Sequence, residues 1–390
     1  MIRLTKKQDC CGCAACVQAC PKGCLTLRDD EEGFPYPEAD TTHCTHCGLC
    51  ERVCPMLRRG GAPAPRHYFA TMNPNKAVRH RSSSGGIFSL LAEEVLRQGG
   101  VVFGARFDAN FEVVHDYTEE PAGLAAFRGA KYLQSRIGNN YRLAQEFLRR
   151  GRLVLFSGTP CQIAALKLYL RRDYDNLIAV EIVCHGVPSP MLWRKYLAGL
   201  VGTGNTRTVT QVNFRDKLHG WKGYHVSVST DEGVLYREHK DRDPWIRALV
   251  LQLTLRPACT DCPAKIQHSS ADITLGDCWG IDALAPELDD DAGCSVVICN
   301  RRLLPLLETL CPVRKPLDAA AVHAKNPSIF RGLPLNRATL RRRQRLFRAA
   351  RSSACVRLLL RRYTAPSLRE RLLRAAVLLK HSLRSLLHTP

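Results

Sequence analysis

The sequence predicts an α+β and α/β protein of unlike parts. A small cysteine-dense module precedes a larger α/β body built on a mixed sheet, and a basic helical tail follows. Three observations carry that expectation. Ten of the 19 cysteines lie between residues 10 and 54 of a 390-residue chain. From residue 67 onward, β-rich runs alternate with helical ones. Residues 331 to 390 hold sixteen Lys or Arg against one acid, Glu370, so only +6 of the formal net charge of +21 falls outside them.

The N-terminal "MIRLTKKQD" runs into cysteines without an apolar stretch, so no signal peptide is expected. No run of about 18 apolar residues predicts a spanning helix. The expected compartment is therefore a reducing cytoplasm, where clustered cysteines are read as metal ligands or catalytic groups before disulfides. Because the excess charge sits in the tail, it does not mark the body as a nucleic-acid binder, and no nucleic-acid partner is expected.

Residues 1 to 57 form the module, and 58 to 66, rich in Gly, Pro and Arg, form a linker. The module holds an internal repeat. Cys10-x2-Cys13-x2-Cys16-x3-Cys20-Pro21 recurs as Cys44-x2-Cys47-x2-Cys50-x3-Cys54-Pro55. Three cysteines at two-residue gaps wrap one face of an iron-sulfur cubane, while the fourth is carried away by the following turn and proline. Structural zinc pairs two C-x2-C knuckles and has no use for the third cysteine. Cys11 and Cys24 stand outside the repeat, with Thr45 opposite Cys11, and read as small side chains packed near the clusters. Residues 8 to 56 resemble bacterial two-cluster ferredoxins, in which the fourth cysteine of each run ligates the other cluster. That resemblance implies one 4Fe-4S cluster on Cys10, Cys13, Cys16 and Cys54, and a second on Cys44, Cys47, Cys50 and Cys20.

In the body, "SGGIFSLLAEEVLRQGG" has helical spacing and a Gly pair suited to a C-cap. "VVFGARF", "RLVLFSG", "NLIAVEIVCHG", "HVSVST", "ADITLG" and "CSVVICN" predict strands, with "CQIAALKLYLRR" and "PMLWRKYLAGL" as helices between them. "RSSSGGIFSLL" places Ser84, Gly85 and Gly86 at a helix start, where free N–H groups can receive a phosphate or simply begin a helix. Cys161 opens a helix after a strand, where a thiol is readily deprotonated. Cys184 and His185 follow another strand, and Cys259-x2-Cys262 is half of a metal site. Strand ends are the usual ligand-binding edge of an α/β sheet. Together these four cysteines make one cluster's worth of thiolates, although zinc on Cys259 and Cys262, or catalysis by Cys161 with His185, remains open at this point.

The combination "SSSGGIFS", "GAKYLQS", "FSGTPCQIAAL", "VCHGVPSP", "FRDKLHGW", "RPACTDCPAK" and "SADITLGDCWG" resembles the family of coenzyme F-420 hydrogenase/dehydrogenase beta subunits over residues 67 to about 330. The resemblance implies FAD and a 4Fe-4S cluster in the body. Archaeal members of that family pass electrons between clusters and the deazaflavin coenzyme through the flavin. Plant chlorophyll-pathway reductases are similar in the body and act on other substrates. Carried onto this chain, the resemblance makes Cys161, Cys184, Cys259 and Cys262 ligands of a third cluster. It makes Ser84, Gly85 and Gly86 flavin-phosphate contacts, puts Lys131 and Thr159 near the flavin, and assigns Asp277 to the cofactor pocket. Cys278 departs from the pattern, which leads one to expect an aromatic residue there. Lys131 has a surface salt bridge as its alternative, and His185 reads equally as a structural or a proton-donating residue.

A flavin between clusters and an organic substrate reconciles one-electron with two-electron chemistry. The expected activity is thus an iron-sulfur flavoprotein oxidoreductase that exchanges electrons with a redox partner such as ferredoxin and with a two-electron organic substrate. The direction of flow is not fixed by the ligands. The alternatives are an electron-transfer subunit without its own substrate and a protein whose clusters are structural. Residues 341 to 390 read as Arg-rich amphipathic helices, suited to the inner face of an anionic membrane or to a partner groove, with a solvated extension as the plain reading.

Overall fold

The computed structural model describes residues 2–58, 66–202, 206–265, 269–329, 332, 334–353 and 355–365. Most of the linker and the second half of the basic tail lie outside the described residues. No helix among the described residues is long and apolar enough to cross a membrane.

Continuous runs of Val, Ile, Leu and Phe suit strands buried on both faces, and the body is assembled around such runs. The strands are β1 (Leu25–Asp29), β2 (Pro35–Ala39), β3 (Arg66–Thr71), β4 (Val101–Phe107), β5 (Val113–Thr118), β6 (Val154–Gly158) and β7 (Leu177–Ile182). They continue as β8 (Val209–Asp216), β9 (His225–Thr230), β10 (Gly233–His239), β11 (Ile273–Asp277), β12 (Ser295–Asn300) and β13 (Arg314–Pro316). Eight of them form a mixed sheet in the order β13-β3-β12-β11-β7-β6-β4-β5. Its centre, β4, β6, β7 and β11, is parallel, and the strands outside it pair antiparallel. A second, antiparallel sheet holds β8, β9 and β10, so "HVSVST" stands apart from the main sheet. β1 and β2 make a hairpin in the module.

Side-chain alternation divides the main sheet into two faces. Val101, Phe103, Val154, Phe156 and Leu177 point to one core, with helices Asn140–Arg149 and Pro160–Leu170. Val102, Leu155, Ile178 and Val180 point to the other, with helix Ile87–Arg97. The module is no loose appendage: Cys13, Ala14, Ala15 and Val53 belong to the first of these cores.

The basic tail is where the structure corrects the sequence reading. Charge counting puts everything after residue 331 outside the fold, yet helices Arg337–Ser352 and Val356–Thr364 are part of the body. Their apolar stripe, Leu346, Phe347, Ala350, Val356 and Leu360, is buried with Trp193, Phe214 and Trp245. The arginines occupy the outer faces, with one exception. Arg343 is buried and forms two bonds to Glu32 in the β1–β2 turn, at 2.9 and 2.5 Å, while also donating to the Leu255 carbonyl. Phe347 packs against Phe34 with ring centroids 6.3 Å apart. The turn itself depends on Gly33, whose φ of 77° and contact with Met191 leave no room for a Cβ. The supposed tail therefore clamps the module to the body as far as residue 365.

Removing one partner of a buried ion pair strands the other charge. Arg343→Leu is expected to lower the unfolding free energy by about 3–5 kcal/mol, and Glu32→Leu combined with Arg343→Leu to recover most of that loss. Chemical denaturation of the three proteins checks it, and a single variant as stable as the parent refutes it.

Candidate iron-sulfur and cofactor site

Parallel strands joined by helical crossovers all end at one edge of the sheet. At that edge β6 delivers Thr159 and Cys161, β7 delivers Cys184 and His185, and β11 delivers Asp277. Thr159 caps helix Pro160–Leu170 in a capping box with Gln162, whose Oε1 accepts the Thr159 N–H at 2.9 Å. The Thr159 hydroxyl lies 3.3 Å from Cys161 Sγ.

Cys259 and Cys262 arrive on the turn Pro257–Asp261, pinned against the chain after β7. Arg256 N–H donates to the Val187 carbonyl at 2.9 Å, and Val187 N–H donates to Cys259 Sγ at 3.4 Å. Gly186 allows this approach: a Cβ there would lie 2.6 Å from Leu255 and 3.1 Å from Cys259 Cβ. Cys161, Cys184, Cys259 and Cys262 thus come together from three separate segments. Each thiol is pushed up in pKa. Burial is the main cause for Cys184, Cys259 and Cys262, the last reaching about 12, and contact with Cys11 is the main cause for Cys161. Iron would reverse that direction, since a coordinated thiol is deprotonated outright.

In the module, two cavities are lined by the two crossed cysteine sets. One of about 390 Å³ is bordered by Cys20, Cys24, Cys44, Cys47 and Cys50, and one of about 350 Å³ by Cys10, Cys11, Cys13, Cys16 and Cys54. The backbone repeats with the sequence: Gly12 and Ala14 have positive φ, as do His46 and Gly48 at the equivalent positions. Such left-handed turns aim successive N–H groups inward. Gly12 N–H donates to Cys10 Sγ at 3.3 Å, and Ile2 N–H to Cys50 Sγ at 3.2 Å. Among the described residues no three His, Cys, Asp or Glu converge as a single metal ion would require. The thiols instead stand around cavities, an arrangement that fits a cluster.

The two cysteines outside the repeat have definite places. Cys24 Sγ lies 3.4 Å from Cys20 Sγ. The Cys11 thiol interacts with those of both Cys13 and Cys161, so it sits between the first module site and the third site in the body.

The residues expected at a flavin are already engaged with the protein. The Ser84 hydroxyl donates to the Cys294 carbonyl at 2.9 Å, and Gly85 N–H donates to Ser295 Oγ at 3.0 Å. Gly86, with φ 82°, is the N-cap of helix Ile87–Arg97. Asp277 accepts two bonds from Arg215, at 2.9 and 3.2 Å, and one from Trp221 Nε1 at 3.0 Å. The Arg215 guanidinium is 4.1 Å from the Tyr224 ring and 5.3 Å from that of Trp279, which itself stacks on Trp221 at 4.9 Å. Lys217 joins the two parts by donating to the Ser84 carbonyl at 2.7 Å, and burial draws its amine down to about 7.

Lys131 is held by main-chain carbonyls. It forms no surface salt bridge among the described residues, and its amine donates to the carbonyls of Ala126, Arg128 and Gly129. Burial draws it down to about 7, against the pull of those three acceptors. His185 Nδ1 lies 3.3 Å from Ser328 Oγ, and burial lowers its pKa. Cys278, where the pattern led one to expect an aromatic residue, is buried and interacts with the Cys294 thiol. Arg215, Lys217 and Arg256 were not picked out by sequence reasoning, although all three stand inside the motifs "FRDKLHGW" and "RPACTDCPAK".

This architecture defines an iron-sulfur protein in which a two-site cysteine module is docked on an α/β body. Residues 9–57 match the family model of the 4Fe-4S dicluster domain, and residues 151–310 match that of the C terminus of the coenzyme F420 hydrogenase/dehydrogenase beta subunit. Over those residues the chain is similar to an iron-sulfur domain and to a domain of hydrogenase or dehydrogenase subunits. An uncharacterized ferredoxin of Methanocaldococcus jannaschii is 36% identical over 52 residues, 13% of this chain and 66% of that one. One of the subunits of the F(420)H(2) dehydrogenase of Methanosarcina mazei is 24% identical over 183 residues, 44% of this chain and 51% of that one. The chain spans about half or less of the longer curated relatives it matches. A chain in a solved structure of the F420-reducing NiFe hydrogenase complex from Methanosarcina barkeri overlays with a TM-score of 0.47 at 16% identity, covering 69% of this chain and 89% of that one.

One buried histidine beside the site gives a pH signature. His115 stacks on Phe156, its Nε2 lies 3.1 Å from the Ser157 carbonyl, and burial draws it down to about 4. Between pH 6.5 and 4 the unfolded chain takes up a proton that the native state refuses, so stability falls as pH drops through that window. The expected loss is up to ~3 kcal/mol. Denaturant unfolding at the two ends of the window is expected to show a smaller loss for His115→Phe than for the parent, and equal losses refute the assignment.

Proposed function

We propose that the protein is an iron-sulfur flavoprotein oxidoreductase. It would exchange single electrons with a redox partner protein through the module and transfer electron pairs to or from an organic substrate at the body. Cys10, Cys13, Cys16 and Cys54 would hold the first 4Fe-4S cluster, Cys20, Cys44, Cys47 and Cys50 the second, and Cys161, Cys184, Cys259 and Cys262 the third. The observation that carries this reading is the meeting of four cysteines from three segments at the sheet edge, next to the first module cavity.

FAD is assigned to the edge formed by Ser84, Gly85, Gly86, Thr159 and Asp277, with Lys131 behind it. Clusters supply one-electron steps, and a flavin supplies the exchange between one and two electrons. Support for an acceptor group there comes from Arg215, whose Nε is buried without a partner beside Asp277. In this reading Arg215 and Lys217 hold the pocket's charge, while Trp279, backed by the buried Trp221, presents flat apolar surface. The electron acceptor is left open, and the deazaflavin coenzyme is one candidate among others.

A second reading is an electron-transfer subunit that feeds a separate enzyme. It is favoured by the side chains of Ser84, Lys131 and Asp277, which all have protein partners already, and by the relative that is named as one of a dehydrogenase's subunits.

Anaerobic purification followed by iron, sulfide and flavin analysis tests both. The expected content is about twelve irons for three four-iron clusters, with one FAD. Cys161→Ser is expected to lose about four of those irons and leave the module's absorption unchanged. Absence of FAD from a fully iron-loaded protein overturns the flavoprotein reading and leaves the second.

A further inference from the structure

One residue touches the ligand loops of two different sites. Arg256 is fully buried, at 0% exposure. Its Nε donates to the Cys10 carbonyl at 2.7 Å, Nη1 to Gln134 Oε1 at 3.0 Å and Nη2 to the Pro35 carbonyl at 2.9 Å. The guanidinium lies over the Tyr36 ring at 4.2 Å. Meanwhile its own carbonyl accepts the Cys259 N–H at 3.0 Å. The side chain thus holds the first site's loop, and the backbone holds the third's.

Every acceptor that the structure gives this cation is neutral. A guanidinium cannot shed its proton, and burying it without an anion carries a heavy desolvation penalty. It lies instead between the loops that carry the candidate ligands Cys10 and Cys259. Its charge reaches Cys161 and favours the thiolate there, and the Cys11 thiol beside it touches both Cys13 and Cys161. Gly12 has φ 72°, and a Cβ there would stand 2.7 Å from Arg256 Nη1, so the loop's glycine is required for this approach. Thiolate clusters at the first and third sites would supply the missing anion.

Resting on the assignment of three clusters above, we propose that Arg256 is the counter-charge shared by the first and third clusters and positions them as one electron-transfer junction. Reduction of such a site adds one electron and one negative charge, with no bond made or broken. A fixed cation stabilises the reduced form of whichever cluster it neighbours. The second site, across the module, lies outside its reach.

The test uses the full chain, purified anaerobically with clusters in place, as Arg256→Gln and Arg256→Lys. EPR-monitored redox titration reads each cluster separately. In Arg256→Gln the reduced-to-oxidised ratio of the first and third clusters at a fixed potential is expected to fall about tenfold, equivalent to ~59 mV for a one-electron couple. The second cluster is expected to stay in place, and Arg256→Lys to restore most of the shift. Parental titrations of all three clusters in Arg256→Gln overturn the proposal, as does an equal shift of all three. Should Arg256→Gln lose iron, the Lys variant decides. Retained iron with near-parental potentials supports a charge role, and loss in both variants assigns the residue to packing and overturns it. A parent protein short of the third cluster sinks the three-cluster reading instead, a result visible before any variant is made.

Discussion

Parallel pairing of β6, β7 and β11 is the constraint on which the candidate site depends. Because each crossover must return the chain in the same direction, the residues after these strands emerge side by side. Cys161 is held in the first turn of its helix, Cys184 in the strand's own extension, and Asp277 at the last residue of β11. A ligand set drawn from such distant parts of the sequence is therefore rigid, since shifting any member would shift a strand buried on both faces. The C-x2-C turn is the movable partner, and it is tied to the edge through Val187 and Gly186.

Electrostatics then shape what the edge can hold. The third site gathers thiols that burial and proximity disfavour as anions, while Arg256 and Lys265, which donates to the Cys184 carbonyl, set positive charge close by. In the absence of iron these are opposing strains, buried thiols on one side and underpaired cations on the other. Thiolates bound to iron would satisfy both at once. The same logic explains why the basic helices after residue 336 fold inward, since the one arginine they bury finds Glu32.

Much of this was legible in sequence because it is local. The cysteine repeat fixes its own register, and continuous apolar runs marked six of the strands. What escaped was long-range. β13 is short, and β3, though as long as β7, begins with the polar Arg66 and His67, so neither announces itself as an apolar run. The packing of Arg337–Ser352 was hidden by its charge: sixteen basic residues outweighed a stripe of Leu346, Phe347 and Ala350 that spacing alone would have exposed. Arg256 was in view within "RPAC", but its importance comes from the absence of a carboxylate around it, which no linear motif records. The partners of Lys131 were out of view for a related reason, as they are main-chain carbonyls and those have no signature in sequence.

The clamp between Glu32 and Arg343 joins positions 311 residues apart. On the ribosome, at roughly 5–20 residues per second, that distance corresponds to about 15–60 s of synthesis. For most of that interval the N-terminal module is complete while the helix that fixes it has not yet been made. Its cysteines are then within reach of whatever delivers iron and sulfide, and the first and third sites have not closed on each other. Only after Arg343 has been made can the clamp close, so the docking of the module on the body is a late event in the life of the growing chain.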